Sequence, residues 1–293
     1  MNKASFILAA SRLGLAALML FVCAGVILSQ EKAAKAHKAH KGEYKQKEFC
    51  SNDNWSNGEK VSAKDLRELT LPASGALNID AGRNGGIKVK GENRSDVLLR
   101  ACVQAWGISE EAARGILSSV RISTGGGVKA DGPEDGWSVS YEATVPHSMN
   151  LSLNARNGGI SISSVDGVLQ FETQNGGVHL SDVAGDVRGK TMNGGVHVSL
   201  SGNSWKGSGL SVETTNGGVS LNLPMNYAAN IETGTVNGGF KSDIPALNVT
   251  TENLVGGYGP KPKQINTAIN GGGAPIRVVT KNGGIRIGTL ETY

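Results

Sequence analysis

The tripeptide Asn-Gly-Gly recurs along this chain and limits what it can fold into more than any other feature. It begins at eight asparagines: Asn84, Asn157, Asn175, Asn193, Asn216, Asn237, Asn270 and Asn282. The copies at Asn157, Asn175 and Asn193 are 18 residues apart, and the next two follow after 23 and 21 residues. A repeat of this length is typical of stacked structural units, each too small to bury its apolar side chains alone.

The residues that flank the tripeptide also recur. A large apolar residue follows every copy except the one at Asn270, and five copies carry a threonine two places before the asparagine: Thr173, Thr191, Thr214, Thr235 and Thr280. Apolar and polar residues then alternate, as in Val178-His179-Leu180-Ser181. Asn and Gly tolerate positive φ and therefore favour a sharp turn, while alternation with period 2 indicates a strand with one buried face.

Two architectures could use these turns. Asn-Gly is a strong hairpin signal, so antiparallel hairpins in a sandwich or meander are one alternative. Equivalent flanks at every copy favour stacking of equivalent positions instead. We therefore predict an all-β fold, a β-solenoid of short strands whose structural turns are at Asn84, Asn157, Asn175, Asn193, Asn216, Asn237 and Asn282.

Residues 1–30 have the pattern of a targeting segment. Lys3 and Arg12 precede an apolar run over residues 13–28, which is long for a signal-peptide core and short for a membrane span. A cleaved signal peptide, an uncleaved N-terminal membrane anchor and a lipid anchor on Cys23 all remain open. Each of them predicts export to the periplasm, the outer-membrane surface or the extracellular medium.

Residues 31–48 are rich in lysine, alanine and histidine, which predicts a solvated tether. Attachment to an anionic lipid or wall polymer, or weak metal capture by His37 and His40, are the functional alternatives. This tail supplies much of the formal net charge of +4, so the remainder is close to neutral. Nothing in it resembles the basic stripe with interleaved aromatics that is typical of nucleic-acid binding.

Cys50 and Cys102 are the two cysteines outside the targeting segment. In an exported chain such a pair predicts a disulfide, here closing a loop of about 50 residues that adds about 4 kcal/mol in the chain-entropy model. A catalytic or metal-binding thiol is the alternative, but there is no Cys-x-x-Cys and no nearby histidine.

The rest of the chain divides into two parts. Residues 49–150 predict an irregular β part that opens the solenoid, with one short helix near residues 109–119. Ser109 is its expected N-cap, and Glu110 and Glu111 suit the positive end of the helix dipole. Residues 151–293 carry the regular repeats, and we expect both parts to form one folded domain.

Repeated Thr-x-Asn-Gly-Gly-Val behind an export segment resembles the bacterial putative-adhesin proteins, a family of unknown function related to the head GIN modules. The resemblance covers about residues 70–290. Its most specific motifs run from Thr173 to Val178, Thr191 to Val196, Thr214 to Val219 and Thr235 to Phe240. It implies a right-handed β-helix-like solenoid at or beyond the cell envelope, and it supplies no catalytic residues.

Candidate chemical sites are few. His179 and His197 share an offset within the repeat, so we expect them to stack, but no third metal ligand occurs at that offset. The turn asparagines could line a ligand groove or hydrogen-bond one another in a ladder, and we predict the ladder. We expect no pair at matching offsets among the carboxylates Asp166, Glu172, Asp182, Asp186 and Glu213, although Asp166 and Asp186 could still meet across a turn.

These patterns predict a non-enzymatic envelope or cell-surface protein with no cofactor. An adhesin or scaffold that binds a glycan, a wall polymer or a protein through its solenoid surface is the preferred hypothesis. A carbohydrate-active enzyme on a β-helix and an anchored component of envelope-stress sensing are the alternatives.

Overall fold

The computed structural model describes residues 49–51, 59–247 and 263–290, and the compact unit that contains them begins at Phe49. The predicted targeting segment and tether lie outside the described residues. In chain order the elements are β1 (Val61–Pro72), β2 (Ala76–Asp80), β3 (Ile87–Glu92), β4 (Asp96–Gly107), α1 (Glu110–Ser119), β5 (Arg121–Ser123), β6 (Val128–Asp131), β7 (Trp137–Pro146), β8 (Asn150–Ala155), β9 (Ile160–Ser163), β10 (Asp166–Thr173), β11 (Val178–Ser181), β12 (Ala184–Asn193), β13 (Val196–Ser199), β14 (Gly209–Asn216), β15 (Val219–Pro224), β16 (Ala229–Asn237), β17 (Phe240–Ser242), a 3₁₀ turn (Pro245–Leu247), β18 (Lys263–Ile269), β19 (Pro275–Asn282) and β20 (Ile285–Leu290).

These strands form two ten-stranded sheets. The first sheet has the order β1-β4-β7-β3-β9-β11-β13-β15-β20-β17, and the second has the order β18-β16-β19-β14-β12-β10-β8-β2-β6-β5. The prediction of an all-β fold with one short helix is confirmed. Both sheets are mixed, because β4 is antiparallel to β1 and β7, β5 to β6, and β18 to β16. These strands depart from the parallel arrangement of a simple solenoid.

The repeats themselves pair in parallel. Val178 of β11 lies beside Ile160 of β9 and Val196 of β13, so equivalent residues of successive repeats are in register. Each Asn-Gly-Gly turn except the one at Asn270 joins a strand of the second sheet to a strand of the first. We call such a pair of strands with its turn a rung. The hairpin alternative is therefore wrong for the repeats, since the strands of a hairpin are antiparallel.

Spatial order and chain order differ at the C-terminal end. β19 lies between β14 and β16 in the second sheet, and β20 lies between β15 and β17 in the first. The last rung of the chain thus occupies a position between two earlier rungs.

The core lies between the sheets and is built from the apolar residues of the alternating pattern. In β11, Val178 and Leu180 are buried and His179 is exposed, and β13 repeats this pattern. Burial of such side chains stabilises the fold by about 1.5–3 kcal/mol each. Gly189 leaves room for the ring of Phe171 on the neighbouring strand, since a Cβ there would lie 2.0 Å from the ring.

The helix α1 packs on β4 and β1. Ser109 caps it by accepting a 3.2 Å hydrogen bond from the backbone nitrogen of Ala112, and backbone hydrogen bonding at this end lowers the pKa of Glu111. Arg67 of β1 donates to the carbonyl of Leu117 in the last turn at 3.0 Å.

Cys50 and Cys102 form a disulfide with their Cα atoms 5.3 Å apart, which joins residue 50 to β4. No helix in the described ranges is both long and apolar enough to cross a membrane.

Candidate functional site

The asparagines of the repeated turns form one hydrogen-bonded ladder. Except at Asn84, where the ladder ends, each Nδ2 donates to the Oδ1 of the asparagine in the adjacent rung. The pairs are Asn157 to Asn84 at 3.1 Å, Asn175 to Asn157 at 2.7 Å, Asn193 to Asn175 at 2.7 Å, Asn216 to Asn193 at 2.8 Å, Asn282 to Asn216 at 2.8 Å and Asn237 to Asn282 at 2.7 Å. All of the amides donate in one direction, so they polarise one another along the ladder.

Asn270 does not belong to this ladder. It has a φ of 49° and begins the turn between β18 and β19, where its Nδ2 donates to the carbonyls of Met225 and Tyr227. This different role is consistent with the lack of a large apolar residue after its glycines.

The threonines of the motif connect the rungs from the inside. Each is buried and donates from Oγ1 to the carbonyl of the first glycine of an adjacent turn at 2.8 Å. A buried carbonyl without a partner costs about 1–3 kcal/mol, so the hydroxyl explains why threonine recurs two places before the asparagine.

In the turns at Asn175 and Asn193, the first glycine is required for a different reason from the one that the sequence suggests. Gly176 and Gly194 do not have positive φ. Instead, a Cβ on either residue would lie 2.1 Å from the carbonyl oxygen of the first glycine in the preceding turn. Close approach of two backbones, and not left-handed conformation, excludes a side chain at these positions.

A groove of about 810 Å³ crosses the outer face of the second sheet beside these turns. Two rows of residues run along it from rung to rung. One row is Glu172, Lys190, Glu213, Val279, Gly234 and Gln264; the other is Arg156, Gln174, Met192, Thr215, Lys281 and Val236. Adjacent strands are about 4.8 Å apart, so the groove repeats a similar environment along the stack.

Charges of both signs lie in this groove, and most of them pair across strands. Lys190 is 3.2 Å from Glu172, and Arg277 lies 3.5 Å from Glu213 and 3.1 Å from Glu232. Met192 and Val236, which are 49% and 39% exposed, add apolar patches. The groove thus offers hydrogen-bonding groups and apolar contacts without a strong net charge.

Sequence reasoning missed this arrangement, although a signal for it was present. Glu172 and Glu213 each lie three residues before the asparagine of their turn, and the structure places both in the same row with Lys190 between them. Asp166 and Asp186, in contrast, are not in register. Asp186 lies beside Val168, which follows Asp166 by two residues, and it forms a salt bridge with Arg188 at 2.9 Å.

His179 and His197 stack on the outer face of the first sheet, with ring centroids 5.5 Å apart. Ser161 and Ser220 lie beside them in register on the neighbouring strands. In the part of the chain that the structure describes, no group of three or more His, Cys, Asp or Glu residues could hold a metal ion.

Comparison with known proteins does not identify a family. No family profile matches the chain, and no curated protein matches it by sequence. Among solved structures, it is similar to a putative cell adhesion protein from Clostridium sporogenes, with a TM-score of 0.41, 12% identity, and 78% of this chain and 100% of that chain covered. A putative adhesin from Bacteroides fragilis has a TM-score of 0.30 and 11% identity, with 78% of this chain and 98% of that chain covered. A putative lipid binding protein from Parabacteroides distasonis has a TM-score of 0.23 and 11% identity, with 80% of this chain and 98% of that chain covered. Likenesses this weak carry no argument about function.

Proposed function

We propose that this chain is a non-enzymatic, exported envelope or cell-surface protein, an adhesin or scaffold that binds a glycan, a wall polymer or a protein through the groove on its second sheet. The observation that carries this proposal is the groove itself, which continues across strands from β8 to β18. A groove built from repeated rungs suits an extended ligand that itself has a repeated structure.

The same proposal includes a right-handed β-solenoid for the stacked rungs. The parallel register of successive repeats and the continuous asparagine ladder support it. The antiparallel strands at the two ends then cover the stack, which otherwise would expose edges open to pairing with other chains.

A glycan is the occupant that the chemistry of the groove favours. Sugars carry hydroxyl groups along their edges and apolar C–H faces. Gln174, Thr215 and Gln264 can hydrogen-bond the hydroxyls, and Met192 and Val236 can contact the C–H faces. Because the charged side chains largely neutralise one another, a neutral polymer fits better than a polyanion.

Blocking the groove should weaken binding to the polymer. We expect Thr215→Tyr to weaken binding of the purified protein to isolated envelope polysaccharide at least about tenfold, since the larger ring occupies the groove. Sedimentation with the insoluble polymer measures this. Lys241→Tyr, at an exposed position on the first sheet, is the matched control and should bind as the parent does.

Equal binding by both variants and the parent would show that the groove is not the site. Release of soluble sugar by the parent protein, lost in Glu213→Gln, would contradict the non-enzymatic proposal and favour the carbohydrate-active enzyme.

Export is tested separately by protease treatment of intact cells, followed by N-terminal sequencing of the full-length protein. We expect the protease to remove residues 49–293 and the mature chain to begin near Gln30. Protection in whole cells, with residues 13–28 retained, would contradict surface exposure and favour an anchored component of envelope-stress sensing.

A further inference from the structure

A second cavity of about 600 Å³ lies at the opposite end of the asparagine ladder from β17. Three connections meet there: the loop between β2 and β3, the loop between β4 and α1, and the loop between β6 and β7. Connecting loops on a rigid scaffold are common places for binding residues. This cavity includes the asparagines of the first two repeated turns, Asn84 and Asn157, and none of its lining residues belongs to the groove described above.

Several apolar residues line this cavity: Trp106, Ile108, Ile116, Ala130 and Trp137. Ile108 is 87% exposed, so its side chain is available for contact with a ligand. The indole of Trp137 lies against Gly132, and its Nε1 donates to the carbonyl of Pro133 at 2.6 Å, so the ring is held in place at the wall.

Polar residues line the same cavity, among them Arg83, Asn84, Glu134, Asp135 and Ser138. A lining that combines indole and aliphatic groups with amide, carboxylate and guanidinium groups can contact both the C–H face and the hydroxyl groups of a sugar ring.

Asn84 is the terminal amide of the ladder at this end. Its Oδ1 accepts the bond from Asn157, and within residues 49–51, 59–247 and 263–290 its Nδ2 has no hydrogen-bond partner. Every other amide of the ladder donates along the same direction, so polarisation accumulates toward a donor that is left open beside the cavity. A ligand that places a carbonyl oxygen there completes the ladder.

We propose that this cavity binds an N-acetylated amino sugar of an envelope glycan. The acetamido carbonyl accepts the hydrogen bond from Nδ2 of Asn84, the sugar ring lies on the indole of Trp137, and Ile108 covers the outer edge. An acetamido group combines a strong acceptor with a methyl group, which fits a lining that contains both polar and apolar side chains. This cavity and the groove are separate sites, so a negative result for one proposal leaves the other unaffected.

The test uses the full chain, kept in mild detergent, and a β-1,4-linked trisaccharide of N-acetylglucosamine as the probe. We expect the Nε1–H resonance of Trp137 to shift as the probe is added, while that of Trp205, which lines a different cavity, stays in place. The matched glucose trisaccharide, which lacks the acetamido groups, should bind about fivefold more weakly because one hydrogen bond is missing.

Two variants separate the roles of the cavity residues. Asn84→Asp keeps an acceptor for Asn157 but removes the donor, so we expect an unchanged melting temperature and about fivefold weaker binding. Ile108→Ser, at an exposed position, should weaken binding about threefold. Thr215→Tyr in the groove should leave binding of the trisaccharide unchanged.

An unmoved Trp137 resonance at millimolar probe would overturn the proposal. So would equal affinity for the two trisaccharides, or equal affinity of Asn84→Asp and the parent.

Discussion

Gly194→Ala is expected to lower the free energy of unfolding by about 3 kcal/mol, while Gly195→Ala in the same turn changes it by less than about 0.5 kcal/mol. The added Cβ at Gly194 lies 2.1 Å from the carbonyl oxygen of Gly176, whereas the Cβ at Gly195 meets nothing closer than 3.5 Å. Urea unfolding followed by circular dichroism measures both values.

The large effect follows from how the turn is held on both sides. The nitrogen of Gly194 donates to the carbonyl of Asn216 at 3.0 Å, and its carbonyl accepts from Thr214 at 2.8 Å. The turn therefore cannot move away from Gly176 without breaking bonds to the next rung. If both alanine variants unfold at the same urea concentration as the parent, adjacent turns do not approach as closely as the structure has them.

Removal of residues 275–293 is expected to have the largest effect, because it takes out a rung that lies between two others. Ile276, Val278, Ile285 and Ile287 of this rung are buried, and at about 1.5–3 kcal/mol each their loss removes about 6–12 kcal/mol. A whole domain is commonly stable by only about 5–15 kcal/mol. The truncated chain should lose amide protection in β14 to β17 and aggregate through the strand edges that it exposes.

Hydrogen exchange with mass spectrometry resolves this loss along the chain. Removal of residues 291–293 alone is the control and should leave exchange in β14 to β17 as in the parent. A separately added peptide of residues 275–290 should restore protection in β14 and β16, since both strands present matching partners for β19. Full protection in the truncated chain without the peptide would contradict the observed strand order.

The position of this rung also bears on folding. β16 and β17 cannot complete their pairing with β19 and β20 until the last residues of the chain are available. Contacts between distant parts of a chain form slowly because loop closure must come first. We therefore expect the C-terminal rungs to gain protection later in refolding than the rungs formed by β10 to β13, whose paired residues are 18 positions apart in the chain.

Local chemistry was enough to predict several elements of this protein. Alternation after each turn indicated the strands, and the structure has Val178 and Leu180 buried with His179 exposed between them. Ser109 and the two glutamates after it indicated the helix, which begins at Glu110. These predictions succeed because period-2 burial and helix capping depend on residues close together in the sequence.

Other features depended on contacts between distant residues. Positive φ was the wrong reason for Gly176, because only the neighbouring rung shows that its backbone is too close for a side chain. The antiparallel strands β1, β4 and β7 carry no repeat that would indicate their pairing. Glu172 and Glu213 had matching offsets, but the groove that they line exists only once the strands are stacked.

The all-β class, the turns and the face that each strand buries follow from the residues alone, because they depend on backbone preference and alternation. The order of the rungs depends on the packing of the folded chain. Asn282 could extend the ladder equally well beside several other asparagines, since every copy of the motif presents the same donor and acceptor. Where local interactions are equivalent, packing of the whole chain selects one arrangement, and it placed the last rung between β14 and β16.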